Sequence, residues 1–87
     1  MALKLEVALR ALQAMAWNYT QAPTMAAATI RDRGAFPGMT PEKSIVVETT
    51  ALRRCVFPGS DDPAATFAEV LVLLARAGLE PAPWSQL

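Results

Sequence analysis

Histidine is absent from this 87-residue sequence, and cysteine occurs once. The first absence removes the side chain that most often serves as general base near neutral pH and as transition-metal ligand. A single thiol, Cys55, forbids an intrachain disulfide and cannot build a structural zinc site, which takes four thiolate or imidazole ligands. Lone cysteine usage fits a reducing compartment. Neither sign of charge is in excess: eight Lys+Arg stand against eight Asp+Glu. Long-range attraction to nucleic acid or to an anionic membrane is therefore weak. The glycines at 34, 38, 59 and 78 stand one at a time. None forms the clustered loop that cradles a phosphate or a dinucleotide. No apolar run approaches the ~20 residues of a membrane span, because Glu69 and Arg76 interrupt the longest one. The opening Met1-Ala2-Leu3-Lys4 lacks the basic region and apolar core of a secretory signal. A soluble, cytoplasmic chain is expected, with no cofactor, no metal, no catalytic residue and no membrane partner.

What is present is apolar. Hydrophobic residues make up 53% of the chain, too many for a disordered one. Charged residues make up only 18%, against roughly 25% in ordinary soluble domains. A short chain with few charges is one that hides extra surface in an assembly. Its length corresponds to one domain.

The patterning is helical. Leu5, Leu9, Leu12, Ala16 and Tyr19 recur with a period near 3.6, which predicts a helix over 3–19. Its polar face carries Glu6 and Arg10 as a favourable i,i+4 pair, and continuing that face reaches Trp17. Pro23 is read as a break, with Thr24 capping a short second helix over 24–33 that ends at Gly34. Phe36 and Met39, in a Pro-Gly turn, are expected to plug back into the core. The segment 44–57 is β-branched at Ile45-Val46-Val47 and Thr49-Thr50, which favours a strand. Against that, Thr40-Pro41-Glu42 is a strong helix start, and Ile45, Thr49, Leu52 and Val56 keep helical spacing. Helix over 41–57 is the better reading. Asp62-Pro63 opens a last helix over 63–77, closed by Gly78, and Pro81 and Pro83 hold the tail 79–87 extended. The expected fold is all-α, a single-domain bundle of about four helices. Its core is read as Leu5, Leu9, Leu12, Tyr19, Ile30, Ile45, Leu52, Val56, Phe67, Val70, Leu71 and Leu74.

The last helix is the most telling element. From Ala64 to Leu79 only Glu69 and Arg76 are charged, so it lacks the polar face a surface helix should show. Val72, Leu73 and Arg76 mark the side that the other helices are least able to cover. Trp17 lies off the main stripe of its helix, and Trp84 sits on a Pro-flanked tail of the kind that docks as an extended peptide. Tryptophan is enriched at interface hot spots. These five residues, Trp17, Val72, Leu73, Arg76 and Trp84, point to a non-enzymatic module that self-associates or docks on a larger protein.

Two alternatives come from other classes. Arg31/Arg33 and Arg53/Arg54 are paired forks able to grip phosphate, and 3–19 with 24–33 imitates a helix-turn-helix. That reading predicts a nucleic-acid or phosphate-ligand binder. The plainer account of the pairs is surface contact with Asp32 and Glu48. Cys55 follows Arg53-Arg54, whose cations can activate a thiol for a small enzyme subunit. Its place next to Val56 argues instead for a small buried hydrophobe.

Overall fold

The computed structural model describes residues 2–87, with the side chains of residues 4–87, and all of its regular structure is helical. Three α-helices and a short 3-10 turn follow one another: α1 (Ala2–Arg33), α2 (Pro41–Val56), α3 (Pro63–Arg76) and the turn Trp84–Gln86. The fold class is the expected one, with three helices in place of four. The correction lies at Pro23, which sits inside α1 instead of ending it.

A proline within a helix removes one backbone donor and crowds the carbonyl four residues back, at a cost of about 3 kcal/mol. That carbonyl belongs to Tyr19. Here it accepts a hydrogen bond from Arg53 Nε of α2 at 3.3 Å. The group that Pro23 orphans is satisfied from another helix. Beyond the proline, Ala22, Ala26 and Ile30 are all buried, so packing holds the second half of α1 in helical form. The helix-turn-helix imitation disappears with the break, since no turn separates 3–19 from 24–33.

α2 returns antiparallel along the C-terminal half of α1. Thr40 caps it by accepting from Lys43 N–H at 3.2 Å, and Pro41 occupies its first turn. The contact surface is built from small side chains. Fully buried Ser44 accepts from Phe36 N–H at 2.9 Å, tying down the connecting loop. Buried Thr49 donates to Ile45 C=O at 2.7 Å. The strand alternative for 44–57 is thereby settled in favour of helix. In the loop Phe36 is half-buried as expected, but Met39 points outward.

α3 begins where Tyr19, Phe57 and Phe67 meet. Phe67 stacks on the Tyr19 ring with centroids 4.2 Å apart, and Phe57 tilts against it at 5.9 Å. The Arg53 guanidinium lies 4.5 Å from the same ring centroid. One ring face cannot hold both Phe67 and Arg53, so Tyr19 is sandwiched between them. Asp62 caps α3 by accepting from Ala65 N–H at 3.2 Å. Its far end closes on Gly78, with φ of 71°, a conformation that favours glycine. Leu79 N–H then bonds back to Leu74 C=O at 2.9 Å, and Leu79 packs on the core. The tail next crosses α1 at Gln13. The Gln13 amide donates to Glu80 C=O at 2.9 Å, and Gln13 C=O accepts from Ala82 N–H at 3.2 Å.

The chain therefore runs out along α1 and returns in two lengths, α2 over one half, then α3 and the tail over the other. The result measures 51 × 27 × 17 Å, with a radius of gyration of 15.0 Å. A compact chain of this length would have about 12 Å. Its centre is Ala16, Tyr19, Phe57, Val70 and Leu74, flanked by Leu12, Met15, Val56, Phe67 and Leu71. Leu5, expected in the core, is instead exposed, because it lies beyond the reach of α2 and α3 near the start of α1.

Candidate interaction surface

α3 presents two faces. Val70 and Leu74 point inward and are buried, with Phe67 and Leu71 beside them. The opposite face carries Ala65, Ala68, Glu69, Val72 and Arg76, with Leu73 at its edge, and all six are exposed. Val72 and Leu73 keep 50% and 49% of their surface in water. The predicted uncovered side of the last helix is thus where Val72, Leu73 and Arg76 come together. Neither Glu69 nor Arg76 has an ion-pair partner among the described residues, where the single ion pair is the expected Glu6–Arg10 at 2.5 Å.

The two tryptophans do not join that face as one cluster. Trp17 is half-buried on α1, one turn beyond Gln13, where the tail crosses. Trp84 opens the 3-10 turn and is 60% exposed. Among the described residues, the paired aromatic rings are those of Tyr19, Phe57 and Phe67, and neither tryptophan takes part.

The four candidate arginines are not brought together either. Arg31 and Arg33 are exposed in the last turn of α1, where cations suit the helix dipole. Arg53 lies against Tyr19, roughly 18–21 Å back along α1 by the helical rise of 1.5 Å per residue. Its guanidinium is committed to the Tyr19 ring and carbonyl. Arg54 is exposed and shares a groove with Asp61 and Asp62, whose carboxylates would oppose an anion there. The expected surface pairing with Asp32 and Glu48 does not form among the described residues. Cys55 is exposed, contrary to the buried role expected for it. It lies on the rim of an open groove with Met15, Met25 and Leu52. Helical spacing explains the error: Thr49, Leu52 and Val56 take the inward positions of α2, and Cys55 falls beside them.

Three apolar features were not singled out from the sequence. Leu5 lines an open groove of ≈ 500 Å³ with Leu9, Leu79 and Leu87. Met39, Val46 and Val47 form a second exposed patch beside Lys43. Val7 is exposed on α1. The α2 patch had a readable signal, because Val46 and Val47 fall off the Ile45–Thr49–Leu52–Val56 stripe. Leu5 had none, since its spacing matches the core.

Among the described residues no group of three or more Cys, Asp or Glu is placed to hold a metal ion. No helix there is long and apolar enough to cross a membrane. No protein family, curated protein or solved structure matches this chain.

Proposed function

We propose that this protein is a non-enzymatic assembly module of the cytoplasm, one that works by covering its apolar surface with another polypeptide. The observation that carries the reading is the outward face of α3, where Val72 and Leu73 stand half in water on an otherwise well-capped helix. The scale of the uncovered surface supports it. The chain exposes 6058 Å², whereas a compact monomer of this mass exposes roughly 5,000 Å². The surplus of about 1,000 Å² is comparable to the ~800 Å² that one partner buries in a standard interface. Exposed Leu5, Val46, Val47 and Trp84 add further candidate contacts.

Sedimentation equilibrium combined with hydrophobic-dye fluorescence tests the reading. A chain that associates with rising concentration, or that binds dye as a monomer, is the expected result. A monomer at every concentration that binds no dye would sink it.

A further inference from the structure

The outward face of α3 is self-complementary, and we infer that its occupant is the same helix of a second copy, packed antiparallel about a two-fold axis. This inference rests on the assembly reading and specifies the partner. Glu69 lies three residues before Val72, and Arg76 three residues after Leu73. A two-fold axis midway between Val72 and Leu73 reverses the helix direction and brings Glu69 of each copy level with Arg76 of the other. It also sets Val72 of each copy level with Leu73 of the other, and each beside its own counterpart across the axis.

Helical geometry places these residues on the correct sides. At 100° per residue, Glu69 and Arg76 project about 20° apart, on the same flank of Val72. A two-fold axis perpendicular to the pair keeps each flank on its own side, so the acid and the cation meet. Within one helix they stand about 10 Å apart along the axis, too far to pair with each other. Each is exposed and lacks an ion-pair partner among the described residues. An isologous contact of this kind uses every feature of the face twice. Zero formal charge means that two copies approach without long-range repulsion.

Charge exchange at these two positions gives the test. Glu69→Arg alone opposes two cations twice across the axis, and Arg76→Glu alone opposes two acids twice. Each is expected to weaken dimerisation by roughly tenfold or more, by sedimentation equilibrium, with the helical signal of the separated monomer unchanged. An equimolar mixture of the two variants should form a mixed dimer, because both contacts are then opposite in sign. The double exchange on one chain should restore self-association. A dimer indifferent to both single exchanges, or a mixture that associates no better than its components, overturns the pairing. In the first of those cases the assembly reading survives on another face. A wild-type monomer that still binds dye likewise overturns the pairing alone, and a monomer that binds none removes both.

Discussion

Helix α3 carries two valine–leucine pairs that meet opposite fates. Val70 and Leu74 retain 5% and 1% of their surface, while Val72 and Leu73 retain 50% and 49%. The side chains are the same, so the difference is one of neighbours. The inner pair faces Ala16 and the Tyr19 ring system; the outer pair faces solvent. Burying such a side chain fully is worth about 1.5–3 kcal/mol. The inner pair collects most of that from its own chain, and the outer pair keeps much of it in reserve. Stability and association are thus written on opposite sides of one helix.

That division can be broken most severely from inside. Leu74→Ala opens a cavity at the best-packed position of α3 and should cost roughly 2–5 kcal/mol, read as a lower denaturation midpoint. Arg53→Met removes the guanidinium from the Tyr19 ring and with it the donor to the Tyr19 carbonyl. About 1 kcal/mol should be lost in the same measurement. Val72→Ala, on the outer side, should change monomer stability by no more than about 0.5 kcal/mol, while association measured by sedimentation weakens. If Val72→Ala destabilised the chain as much as Leu74→Ala, the two faces would not be functionally distinct.

The parts of the fold legible in the sequence are those fixed by neighbours along the chain. Thr40-Pro41-Glu42 and Asp62-Pro63 carry their caps within three residues, and both helices begin there. Gly78 closes α3 for a reason that needs no tertiary contact. The uncovered side of α3 was legible because Glu69 and Arg76 are its only charges. What failed depended on distant partners. Leu5 has core spacing but no helix covers it. Cys55 has an apolar neighbour in sequence and open solvent in space. Pro23 reads as a break because its remedy, Arg53, lies thirty residues away.

The bond from Arg53 to the Tyr19 carbonyl bears on what keeps α1 continuous. Residues 2–33 by themselves have a missing rung at Pro23 and nothing local to replace it. In the folded chain they form a single 32-residue spine, with the α2 guanidinium on the freed carbonyl and Ala22, Ala26 and Ile30 buried. The length of α1 is therefore in part a tertiary property, supported by a side chain that belongs to another helix.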